Sequence, residues 1–149
     1  MNYKLPGILS LVLAGIALLI ADLGLFIVSW ILGAAYSISL PLLLIVVFYG
    51  YCRKCQHVGD LSCRHVLPGW IVSKLFKTQA PAPYTRGETL LTTLPLLALF
   101  LFPQYWLLQN SLLFMAFWIA TLLTVLSIRL AVCPSCQNIF CFFCPNKSS

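Results

Sequence analysis

The sequence predicts an all-α integral membrane protein: four transmembrane helices in an antiparallel bundle, with small cysteine-rich metal-binding segments on the cytoplasmic face. Three observations predict it. Of 149 residues, 61% are hydrophobic and 8% charged, with a mean hydropathy of +0.98. A soluble domain of this size carries about a quarter charged residues, so lipid is the solvent for most of this chain. The apolar residues fall into four runs, each close to the ~20 residues that cross a bilayer. The cysteines and histidines all gather at the ends of these runs or between them, never within.

Residues 1–51 read as a first transmembrane hairpin. The opening "MNYKLPGILSLVLAGIALLIADLG" has a basic residue before an apolar stretch, as a secretory signal does. It lacks a small-x-small cleavage site near Ala21, and the hydrophobicity outlasts a signal's apolar core, so it reads as a retained span. A turn at Ser29–Trp30 divides the stretch into spans of about Pro6–Val28 and Ile31–Tyr51, and Pro41 predicts a kink in the second. Asp22 then lies within a span and is a candidate for proton or cation passage. A turn at "ADLG" would instead make it an ordinary interface residue.

Residues 52–88 form a polar loop that opens with "YCRKCQHVGDLSCRH". Beyond it, Trp70, Ile71, Val72, Leu75 and Phe76, with Lys74 and Lys77, predict a short interfacial segment. Pro81 and Pro83 predict an extended linker, and Glu88 precedes a helix start, where an acid is favoured. Residues 89–132 read as the second hairpin, with a turn at Gln109-Asn110-Ser111. Residues 133–149 are a four-cysteine tail.

All nine basic residues fall before the first span, between the second and third, or at and beyond the end of the fourth. By the positive-inside rule this predicts that both termini and the central loop are cytoplasmic, in the inner membrane if the source is bacterial. The net charge of +6 is then a basic rim beside anionic lipid. A nucleic-acid partner is excluded, because the basic residues are not interleaved with aromatics on a soluble surface.

The chemistry resides in the thiols. Cys52-x2-Cys55 and Cys63-x-His65 in the loop, with His57 as an alternative ligand, make a set of three thiolates and an imidazole. Cys133, Cys136, Cys141 and Cys144 form two C-x2-C pairs in the tail. Such pairs place two thiolates on one tetrahedral ion, and zinc is the expected metal. The pairs can also be shared between segments, with Cys52 and Cys55 joining Cys133 and Cys136. An iron–sulfur cluster is the alternative cofactor, and thiol redox chemistry a further one. Disulfides are not expected, given the odd count of seven cysteines and a reducing compartment. A closed thiolate shell is a structural staple rather than a catalytic centre, which keeps a ligand position open. No phosphate-binding glycine loop, Ser-His-Asp set or paired carboxylates occur. The expected function is therefore non-enzymatic: a metal-stapled membrane scaffold that binds a cytoplasmic or membrane protein partner. Redox or electron transfer, and soft-metal handling or transport, are the alternatives.

Overall fold

The computed structural model describes residues 5–55, 58, 66–77, 79–80 and 82–135. Among them all regular structure is helical: α1 (Leu5–Val28), α2 (Trp30–Cys52), α3 (Val66–Leu75), α4 (Arg86–Leu101), α5 (Gln104–Leu107) and α6 (Ser111–Ser127). α6 continues as a π-helical segment, Ile128–Val132, and a 3-10 turn, Cys133–Ser135. Four stretches are long and apolar enough to cross a membrane: Leu5–Val28, Trp30–Cys52, Arg86–Leu107 and Ser111–Val132.

The expected turn at Ser29–Trp30 is present. Ser29 alone interrupts the helix, with extended backbone at φ −158° and ψ 126°. Its N–H still donates to the Leu25 carbonyl at 2.8 Å, while its own carbonyl accepts from Gly33 N–H at 3.1 Å. α2 runs through Pro41 as one continuous helix.

The third span begins earlier than the apolar pattern suggests because Thr85 caps it. Its hydroxyl accepts from the Glu88 N–H at 3.3 Å, and the Glu88 carboxylate accepts from the Thr85 N–H at 2.8 Å. This reciprocal pair satisfies two otherwise orphaned donors and draws Arg86 and Gly87 into the first turn. Pro103 ends α4, since it has no N–H to offer the Leu99 carbonyl four residues back. The chain resumes helix in α5 and turns at Asn110, whose side chain accepts from Leu113 N–H.

Packing is antiparallel throughout: α1 lies along α2 and α6, and α2 along α4. A buried cluster of Ala17, Leu18, Ala21, Leu25, Tyr36, Leu99, Leu107, Phe117 and Ala120 joins all four spans. Close approach depends on small residues, as is usual between helices in lipid. A Cβ on Gly50 of α2 would stand 2.6 Å from the Thr92 hydroxyl of α4. The outward surfaces are apolar, with Leu19, Ile38, Leu94 and Leu112 all exposed. That is the pattern of a bundle facing hydrocarbon rather than water.

Candidate functional site

The pairing of the helices decides what meets at each end. α1 packs against the π segment as well as against α6, and the end of α2 meets the start of α4 through Lys54 and Glu88. The start of α1, the end of α2, the start of α4 and the end of the fourth span therefore share one face of the bundle. The described cysteines, Cys52, Cys55 and Cys133, are all on it.

Cys52 is the last residue of α2 and is buried, and Cys55 is half-buried. The helix unwinds here by a turn in which Cys55 N–H donates to the Cys52 carbonyl at 3.0 Å, followed by Val58 N–H to the Cys55 carbonyl at 3.1 Å. The first C-x2-C pair thus flanks a single hydrogen-bonded turn. Cys133 is buried where the π segment gives way to the 3-10 turn. α2 does not pack along α6, so Cys52 and Cys133 end diagonal helices. Among the described residues no group of three or more His, Cys, Asp or Glu side chains converges. His57, Cys63, His65, Cys136, Cys141 and Cys144 lie outside the described residues.

One sequence expectation is corrected here. Disulfides are not expected from the sequence, yet Cys133 is disulfide-bonded. The clustering of thiols that suits a metal also suits oxidation, since both need sulfurs within a few ångströms.

The surroundings of Cys52 and Cys55 form a polar clamp that sequence reasoning missed. Lys54 Nζ meets Glu88 Oε2 at 2.8 Å, with the two side chains 14% and 25% exposed. The same oxygen accepts from the Thr85 hydroxyl at 3.0 Å. The Tyr84 hydroxyl donates to the Tyr51 carbonyl at 2.6 Å, and the two rings are stacked with centroids 6.1 Å apart. The Arg53 guanidinium lies 5.0 Å from the centre of the Tyr49 ring and also donates to its hydroxyl. Phe76 packs edge-on to Tyr49, with ring centroids 4.8 Å apart. Gln79 N–H closes the loop back onto the Arg53 carbonyl at 3.0 Å. The capping box at Thr85 and Glu88 was the one sequence signal that could have found part of this clamp.

The expected interfacial segment is α3. It packs against α2, burying Val72 completely while Trp70, Lys74 and Leu75 stay exposed. This division suits a helix lying at the headgroup level, with its ammonium groups in water.

A second polar site lies in the other half of the bundle. Asp22 is within α1, and the Ser37 hydroxyl of α2 stands 2.8 Å from its Oδ2 and 3.0 Å from its Oδ1. Beside it, the Tyr36 hydroxyl donates at 2.8 Å to the Leu99 carbonyl that Pro103 deprives of its helical partner. The Gln104 amide serves the Phe100 carbonyl at 2.6 Å, and its oxygen accepts from the Trp118 indole at 3.1 Å.

Comparison with family models, curated proteins and solved structures returns no match for this chain. The class defined by fold and site is a helical bundle with four stretches able to span a membrane, whose described cysteines collect on one face.

Proposed function

We propose that this chain is a non-enzymatic membrane protein whose thiol-bearing face is cytoplasmic and is organised by bound metal, zinc first, as a scaffold for a protein partner. The observation that carries this reading is the turn at the end of α2, where the Cys52-x2-Cys55 pair flanks a backbone turn next to the Lys54–Glu88 ion pair. Two thiolates in that spacing make half of a tetrahedral shell. Cys63 with His65 or His57 would complete it in the loop, and the four tail cysteines would form a second shell once the disulfide at Cys133 is reduced. Bound zinc would order short segments that have little apolar core, with apparent binding energies of about 10 kcal/mol or more. The basic residues on the same face favour its cytoplasmic placement, by the positive-inside rule. A closed shell favours a structural role, and the absence of any catalytic constellation in the sequence points the same way.

The disulfide at Cys133 favours a second reading, in which the tail works by thiol redox chemistry. One experiment separates the two. The protein is purified anaerobically in detergent, with and without reductant, and its metal content and absorption spectrum are measured. One or two zinc ions per chain in the reduced sample, and no visible colour, is the expected result. Metal-free protein with a reversible two-electron thiol couple would replace the scaffold reading with the redox one. Iron with acid-labile sulfide would make the chain an electron carrier.

A further inference from the structure

Asp22 is set apart from the other acids of the chain. Asp60 and Glu88 fall in or beside the loop between the second and third spans, whereas Asp22 is inside the first. α1 has 24 residues, which makes it about 36 Å long at 1.5 Å per residue. Asp22 lies about 9 Å along the axis from the last residue, Val28. With about 30 Å of hydrocarbon centred on that helix, its carboxylate is below the headgroups.

Among the described residues the group has little to compensate it there. Its hydrogen bonds among them come from one neutral hydroxyl, that of Ser37, whose single proton is shared between two oxygens. The neighbouring Tyr36 hydroxyl is directed to the Leu99 carbonyl instead. The described basic side chains, Arg53, Lys54, Lys74, Lys77, Arg86 and Arg129, belong to the thiol-bearing end. The one ion pair among the described residues is Lys54–Glu88. A bare carboxylate in hydrocarbon costs several kcal/mol or more, so such a group is retained where a cation neutralises it.

A second feature of α2 falls on the same residue, Ser37. Pro41 has no N–H for the Ser37 carbonyl four residues back. Ser37 therefore carries both a hydroxyl on the Asp22 carboxylate and a backbone oxygen without its usual helical donor. Carboxylate, hydroxyl and released carbonyl are all hard oxygen donors, a set that suits a proton or an alkali cation and is unlike the soft thiolates at the other face. We propose that Asp22 and Ser37 form an intramembrane site for a small monovalent cation, a proton or sodium. The site is independent of the thiols and stands whether or not they hold metal.

The test uses the purified full chain in detergent or proteoliposomes, treated with a hydrophobic carbodiimide in sodium-free buffer. The reagent adds the O–H of a neutral carboxyl across its C=N bond, so it marks carboxyls that carry a proton in apolar surroundings. Peptide mass spectrometry should find Asp22 labelled at least about tenfold more than Glu88, which lies at the polar face and is already paired. Suppression of this labelling by added sodium identifies sodium as a competing ligand, and indifference to sodium identifies the proton. Asp22→Asn removes the labelled peptide. Ser37→Ala keeps the labelling but weakens any sodium protection, a result that survives if Asp22→Asn fails to fold. Asp22 labelled no more than Glu88 in wild-type protein overturns the proposal. That result would mean the carboxylate stays ionised, as it would against a basic side chain of another membrane helix.

Discussion

The two ends of this bundle solve one problem by opposite means. At the thiol-bearing end, helices stop beside water, and charged groups hold them: Lys54 on Glu88, the reciprocal cap at Thr85, and Arg53 over Tyr49. In the other half, proline ends one helix and a half-buried acid meets another, and neutral donors do the repair. Tyr36 serves the Leu99 carbonyl, Gln104 the Phe100 carbonyl, and Ser37 the Asp22 carboxylate. The difference follows from the solvent. Charges near water are cheap to keep and weak in effect, whereas in hydrocarbon every released carbonyl needs a donor from the protein.

The contrast can be broken most forcefully at its shared core. Phe117 is fully buried, with its ring 5.8 Å from that of Phe100, and so links the third and fourth spans. Phe117→Ala is expected to cost about 3–5 kcal/mol and to loosen both ends together, measured by thermal or denaturant unfolding in detergent. Gly50→Leu acts on the α2–α4 seam, where the new side chain meets the Thr92 hydroxyl and the backbone around Glu88. A loss of about 1–3 kcal/mol is expected, with the Lys54–Glu88 pair separating as the helices part. If stability is unchanged, the close approach of these helices is not needed.

Tyr36→Phe sharpens the far side of the comparison. The ring stays and only the hydroxyl goes, leaving the Leu99 carbonyl buried without its donor. The expected loss is about 1–3 kcal/mol and insensitive to salt. Glu88→Gln is the matching test at the thiol-bearing end. Its ion pair is partly exposed, so the expected loss is below about 1 kcal/mol and shrinks as salt is raised. A salt-insensitive loss at Glu88, or a salt-sensitive one at Tyr36, would collapse the distinction between the two ends.

Much of the molecule could be read from the chain alone. The four spans, the turn at Ser29 and the turn before Ser111 follow from local hydropathy, and a bilayer translates apolar length directly into helix. The C-x2-C spacing and its position at the end of a span are equally local. Span boundaries were less legible: the third starts at Arg86 because a capping box extends it, a signal present in the sequence but masked by its polar residues.

What the tertiary structure decided is which distant groups face each other. Nothing in the sequence pairs Ser37 with Asp22, Tyr36 with the Leu99 carbonyl or Lys54 with Glu88, because each pairing depends on the rotation and register of two helices. Nor did spacing reveal the disulfide bond at Cys133, since one set of thiols can serve a metal or a disulfide. Hydropathy sets where helices run because it sums over many residues. Pairing depends on single side chains brought to hydrogen-bonding distance, and only the packed bundle specifies that.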